Sequence, residues 1–272
     1  MRAYQRRTWF TAIVLLLALC QPARVWALHV CADPDYLPYS NQAGEGFENK
    51  IASLIAAALD EPLQYTWASY RGHGGFAQFL AAYLDTKKCD VVLNIPYGSR
   101  EELTTRPYYT SSYVFVFDKN RGYEISSMDS PVLKKLRVGF ERETPVQDAL
   151  KIRGMLSTAV PFDVGEDARE SPVSMLAALQ GGRIDVLITW EPSIGAFLRS
   201  YPTFELTAVP SQRTLGRPEK YAFPMSMGVR VEDEALRHRL DGAIQSRRAE
   251  ISSILSSSGV LALGSGEGAK RP

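Results

Sequence analysis

The sequence predicts an α/β protein of two lobes, each a mainly parallel sheet flanked by helices, joined by two hinge crossings. Three observations carry that expectation. Strand and helix patterns alternate from residue 28 to residue 95. The alternation restarts after residue 117 and reaches a buried strand pattern, Ile184 to Trp190, that echoes Asp90 to Ile95. A late strand pattern, Met225 to Val229, then returns the chain ahead of a final helical stretch. Lobe one is expected over 28–117 and 222–261 and lobe two over 118–221, with the crossings near Val116–Asp118 and Phe223–Ser226.

Leu28 to Ala32 reads as a short buried strand, broken by Asp33-Pro34 and followed by a Pro-, Asn- and Gly-rich loop to Gly46. Phe47, Ile51, Leu54, Ile55, Ala58 and Leu59 repeat at helical spacing, and Pro62 ends that helix. Leu63 to Trp67 is a second strand. Phe76, Phe79, Leu80, Tyr83 and Leu84 mark a second helix, and Asp90 to Ile95 is an apolar run of the kind buried on both faces. Strand, helix, strand, helix, strand implies two right-handed crossovers and a parallel sheet. Tyr113 to Phe117 is a strong strand, as is Leu136 to Gly139. Thr144-Pro145 and Ser171-Pro172 each place an N-cap residue before a proline at the first helical position; the second of these helices stops at Gly181-Gly182. One long helix is expected to close the chain, with Leu236, Leu240, Ile244, Ile251, Ile254 and Leu255 on one side, before a polar, Gly-rich tail over 262–272 that reads as disordered.

The chain has 272 residues, with Lys+Arg 31 against Asp+Glu 30 and a net charge of +1, so it lacks the basic footprint that nucleic-acid binding requires. Arg2, Arg6 and Arg7 precede an apolar stretch from Phe10 to Leu19, and Val25-Trp26-Ala27 offers small residues around a cleavage point. Residues 1–27 therefore read as a signal peptide, which places the mature chain in the periplasm. Arg6 and Arg7 have a faint look of a twin-arginine signal, but the strongly apolar stretch favours general secretion. Leu19 is too bulky for the position before a lipidated Cys20. Beyond the signal no apolar stretch approaches the length of a membrane span, so no stable membrane insertion is expected. Cleavage leaves Cys31 and Cys89. An even pair in an exported chain points to a disulfide rather than a metal site, with two buried thiols as the alternative.

The catalytic inventory is thin. His29, His73 and His238 have no metal-ligand spacing, and no phosphate loop, dinucleotide fingerprint or nucleophile elbow occurs. Gly72-His73-Gly74-Gly75 reads as a flexible lead-in to the next helix rather than an oxyanion loop. Neither an enzyme nor a cofactor is expected. The better-supported features belong to a ligand cleft, because ligands of parallel sheets bind beyond the carboxyl ends of the strands. Those ends carry Asp33, Tyr36 and Tyr39, then Tyr97 with Arg100 close behind, then Trp190 and Glu191: aromatics beside polar groups, as in small-molecule pockets.

Cys31-Ala32-Asp33-Pro34, Pro38-Tyr39-Ser40, Gly46-Phe47-Glu48 and Leu103 to Tyr109 resemble the cluster-3 periplasmic solute-binding proteins. A narrower resemblance, to the MoxJ/XoxJ-type members associated with quinoprotein dehydrogenases, rests on Val30 to Pro34, Gly44 to Asn49, Cys89 to Val92, Thr104 to Tyr109, Tyr113 to Val116 and Ser226 to Val229. It covers nearly the whole mature chain. It implies the type II periplasmic binding protein fold and a PQQ-dependent alcohol dehydrogenase, methanol dehydrogenases above all, as a partner whose maturation or activation the protein assists. The alternative is a transport receptor carrying a small polar solute to an ABC permease. The family's amino-acid binders hold the ligand carboxylate with an Arg shortly after the third strand and the amino group with an Asp after the second-lobe strand. Here Arg100 is displaced and Trp190-Glu191 stands at the second position, so an amino-acid clamp is not expected.

Overall fold

The computed structural model describes residues 26–69, 71, 75–164 and 170–261. The signal-peptide reading, apart from Trp26 and Ala27, and the disordered-tail reading fall outside those residues, as does most of the Gly72–Gly75 run.

Strand β1 (Leu28–Ala32) pairs in parallel with β4 (Leu63–Trp67) on one side and β5 (Val91–Pro96) on the other. Two short strands, β2 (Asp35–Tyr36) and β3 (Ser40–Asn41), close the loop after β1. That loop folds back onto helix α1 (Phe47–Leu59): Phe47 N donates to Pro38 O at 2.9 Å and Glu48 N to Tyr39 O at 3.0 Å. Two backbone donors that a helix start leaves open are thus met by the loop rather than by a capping side chain. Gly46 is required at the junction, since a Cβ there would collide with the Tyr39 carbonyl. Helix α2 (Gly75–Phe79) runs on as a π-helical turn, Leu80–Leu84. Cys31 and Cys89 are disulfide-bonded, with Cα atoms 5.5 Å apart, beneath Phe79, Leu84 and Val92.

The two lobes share one long strand. After the short β6 (Leu103–Thr104), β7 (Tyr109–Asp118) pairs through Tyr109–Ser112 with β14 (Ala222–Val229) of the first sheet. From Tyr113 onward it pairs with β10 (Val186–Trp190) and β11 (Phe204–Ala208) of the second. The hydrogen-bonded path is therefore unbroken, and its character changes where β7 changes partners, between Ser112 and Tyr113. The second sheet adds β8 (Val138–Glu141), parallel to both β10 and β9 (Val160–Phe162). Helices α3 (Pro145–Ile152) and α4 (Pro172–Gln180) flank it, and the short α5 (Glu191–Ile194) follows β10 directly. The hairpin of β12 (Gln212–Thr214) and β13 (Arg217–Glu219) lies apart.

Three local expectations change. The closing helix is two, α6 (Glu234–Ser246) and α7 (Arg248–Ser257), because Arg247 leaves helical geometry at φ −111° and ψ 18°. Thr144 occupies the cap position of α3, but its hydroxyl donates backward to Glu141 O at 2.7 Å instead of accepting from the helix, and Ser171 makes no side-chain cap either. The strands β9, β11, β12 and β13 have no counterpart in the sequence reading; they are three to five residues long and largely half-exposed, so their apolar period is weak.

Candidate functional site

The site is built from the carboxyl ends of the strands, where side chains leave the sheet without a neighbouring strand to cover them. At the end of β1, Asp33 is fully buried. Its carboxylate accepts from Asp35 N at 2.9 Å and Ser69 Oγ at 2.7 Å, and the Arg71 guanidinium lies 3.4 Å away. Arg71 also donates to Asp35 O and stacks 4.4 Å above the ring of Tyr36. Its side chain is only 5% exposed, so this cation is committed to the wall of the site. Tyr36 and Tyr39 pack ring to ring at 5.0 Å, and Tyr39 rests on Phe47 at 5.3 Å.

A cavity of about 280 Å³ opens beside them, between the ends of β1 and β5 and helix α2; Ala32, Tyr36, Tyr39, Glu48, Phe79 and Asn94 are among its lining residues. Glu48, in the first turn of α1, is buried, and its Oε1 has no hydrogen-bond partner among the described residues. Burial first, and the Asp33 carboxylate second, push its carboxyl up to about 8. The helix start would favour a negative charge there, and the loss of solvent outweighs it. Asn94 holds a left-handed φ of 62°; its backbone N–H donates to Tyr108 Oη at 3.1 Å, and its Oδ1 accepts from Tyr109 Oη. A non-glycine residue in that region is strained, and such positions concentrate at functional sites.

Where the two sheets meet, Tyr113 of the shared strand, Trp190 at the end of β10 and Phe223 of β14 form a triangle of rings with centroids 5.3, 6.1 and 6.4 Å apart. Glu141, at the end of β8, is buried next to them and accepts hydrogen bonds from the Thr189 hydroxyl and the Trp190 backbone N–H. Burial raises its carboxyl above the usual range. The phenols of Tyr36 and Tyr113 are likewise raised, by burial first and then by the Glu141 carboxylate. A residue from each lobe and one from the shared strand thus lie within one another's electrostatic reach.

Of the sequence candidates, the structure gathers Asp33, Tyr36 and Tyr39 on the lobe-one edge and sets Trp190 on the lobe-two edge. Tyr97 is 55% exposed and Arg100 is also exposed, outside this cluster. Glu191 is buried at the start of α5, where its carboxylate accepts from Leu261 N at 3.1 Å and lies 3.4 Å from Ser111 Oγ. The sequence reading did not single out Glu48, Arg71, Tyr113 or Glu141. Glu141 was reachable by the same rule that found Trp190, because it ends a parallel strand. Nothing local marks Glu48, which sits inside an ordinary helical pattern. Among the described residues no group of three His, Cys, Asp or Glu is placed to hold a metal ion, and no helix is long and apolar enough to cross a membrane.

No protein-family model matches the chain. Among curated proteins it is 30% identical to Protein MoxJ of Methylorubrum extorquens, over 93% of this chain and 92% of that protein. It is 28% identical to Protein MoxJ of Paracoccus denitrificans, over 90% and 92%. Among solved structures, MxaJ from Methlophaga aminisulfidivorans superposes with a TM-score of 0.75 at 24% identity, over 87% of this chain and 100% of that one. The periplasmic binding protein XoxJ from Methylobacterium extorquens gives 0.66 at 26% identity, over 88% and 100%.

Proposed function

The chain belongs to the MoxJ family, and from that premise we propose that it is a periplasmic, non-catalytic accessory protein of a PQQ-dependent alcohol dehydrogenase, a methanol dehydrogenase above all, assisting that enzyme's maturation or activation. The observation that carries this reading is the extent of the match: about nine-tenths of each chain aligns, so both lobes are related and not one domain alone.

The physical chemistry sets limits on the encounter. Without residues 1–27, which carry Arg2, Arg6, Arg7 and Arg24 and no acidic residue, the net charge of +1 becomes −3; so small a charge gives no strong steering field, and association with the dehydrogenase is ordinary in rate and weakly salt-dependent. Tyr36, Tyr39 and Trp190, with Asp33 behind them, form the ligand-facing cleft in this reading. Tyr97 and Arg100 lie on its outer rim, where an exposed aromatic is available as an anchor for a partner. Glu191 serves as a tether within the fold. In this reading lobe one spans 28–117 with 222–261 and lobe two spans 118–221, with crossings near Val116–Asp118 and Phe223–Ser226; the first crossing runs along β7, the strand that changes sheet partner between Ser112 and Tyr113.

Deleting the gene tests the role. The expected result is reduced alcohol dehydrogenase activity in the periplasm, restored by the wild-type chain, with uptake of small solutes intact. Full dehydrogenase activity together with loss of import of one solute would instead establish a transport receptor.

A further inference from the structure

A groove of about 770 Å³ runs along lobe two between helix α3 and the β12–β13 hairpin. Ala149 and Ile152 of the helix and Pro218 of the hairpin give it an apolar floor. Ile152 is 47% exposed, an apolar side chain that the fold leaves uncovered. Lys151, Arg217 and Lys220 line the same groove. Each is exposed, and the charged group of each has no hydrogen-bond or ion-pair partner among the described residues. Of the acids beside them, Glu219 is closed onto Arg153 at 2.9 Å, which leaves Asp148 alone against three cations. The groove is therefore basic, although the chain without residues 1–27 is net negative. At the tip of the hairpin, Leu215 is 87% exposed at a left-handed φ of 50°, a conformation that a bulky side chain adopts only with strain.

Exposed ion pairs by themselves hold little, because water competes for both charges. Cations at the rim of an open apolar groove gain strength when one partner brings carboxylates to them and covers the apolar floor in the same step. A small free anion would leave Ile152 and Leu215 wet, and a flat bilayer surface does not enter a concave groove. We propose that the groove between α3 and the hairpin docks an acidic segment of a partner protein. Its carboxylates pair with Lys151, Arg217 and Lys220, its apolar side chains cover Ala149, Ile152 and Pro218, and Leu215 packs against the partner beyond the groove. This assigns a surface that the accessory role leaves unassigned, and it holds independently of that role.

The probe is an acetylated, amidated peptide, Asp-Glu-Leu-Gly-Leu-Glu-Asp, titrated calorimetrically into the mature chain. One control replaces its acids by their amides, and a second replaces its leucines by serine. Saturable binding of the first peptide is expected, with each control weaker by at least about tenfold. Arg217→Glu/Lys220→Glu is expected to weaken the first peptide at least about tenfold, and Ile152→Ser roughly fivefold, with the far-ultraviolet spectrum kept. The two control peptides use the wild-type chain, so they decide the matter even where a variant folds poorly. Four outcomes overturn the surface: no saturable binding at millimolar peptide; equal binding of the amide peptide; equal binding of the serine peptide, which leaves bare charge attraction; or unchanged binding by a folded variant. Vesicles of phosphatidylglycerol and phosphatidylcholine are the other arm. If the chain binds them through Arg217 and Lys220 and ignores the peptide, a membrane surface is the occupant and the proposal is wrong. A failed titration leaves the gene-deletion result untouched, and a failed deletion test leaves the groove untouched.

Discussion

The carboxylate of Glu191 accepts the backbone N–H of Leu261, 3.1 Å from each of its oxygens and 70 residues further along the chain. The contact ties the end of the central lobe-two strand to the segment that follows the last helix. The same junction brings Gly195 and Gly259 together backbone to backbone. Gly259 has a φ of +80°, and a Cβ on it would lie 2.6 Å from Gly195 O. Glu191 thus closes the structure where a sequence reading expects it to meet a ligand.

Two changes test that junction. Glu191→Ala leaves the Leu261 amide without its acceptor in a buried setting, and is expected to lower stability by about 2–3 kcal/mol. Gly259→Ala adds an atom where there is no room, in a conformation alanine resists, and is expected to cost about 1–3 kcal/mol. Denaturant unfolding of each variant is the measurement. Wild-type midpoints would show that the tether contributes nothing.

The Cys31–Cys89 bond closes a loop across a sequence separation of 58. In the chain-entropy model that stabilises the fold by about 4 kcal/mol. The Cys31→Ser/Cys89→Ser chain is therefore expected to unfold at distinctly lower denaturant than the oxidised wild type. Equal midpoints would mean that the reduced chain retains the constraint by other contacts.

Asp33 and Arg71 form a buried pair at the cleft wall. Arg71→Ala leaves the carboxylate with hydrogen bonds from Ser69 and Asp35 but no cation, at an expected cost of about 3 kcal/mol. Asp33→Asn in the same background should recover part of that loss. A double-mutant cycle reads the coupling, and strictly additive losses would show that the 3.4 Å approach carries no interaction.

Glu48 also sets a pH slope in the free protein. Its folded-state value, about 8, lies above the ordinary glutamate value of 4.5, so the folded state holds the proton more tightly than the unfolded chain. The associated stability is fully present below about pH 4.5 and is lost as the pH rises through about 8. Glu48→Gln is expected to flatten that decline in melting temperature. A variant that keeps the full wild-type slope would place the titration elsewhere.

Common α-amino acids are not expected to bind tightly. A ligand carboxylate would meet Asp33, Glu48 and Glu141, while Arg71 is committed and Arg100 is exposed outside the cluster. Calorimetry with an amino-acid panel checks this. A sub-micromolar Kd would shift the reading toward a transport receptor.

The alternation of apolar strands and amphipathic helices was legible in the chain itself, because burial imposes its period residue by residue. Leu28 to Ala32, Phe47 to Leu59 and Val186 to Trp190 each carry that period, and with it went the two-lobed class and the strand ends where a site belongs. The resemblance in Val30 to Pro34, Gly44 to Asn49, Cys89 to Val92 and Ser226 to Val229, among others, pointed to the family. Only the tertiary structure decided which side chains at the strand ends face a cavity and which are sealed. Glu191 and Trp190 are neighbours in sequence, yet one is locked onto Leu261 and the other joins Tyr113 and Phe223. Glu48 looks like a helical surface residue, and it is buried because the loop of Pro38 and Tyr39 folds over the start of its helix. Solvent access and electrostatic partners are set by elements distant in the chain, and no local period records them.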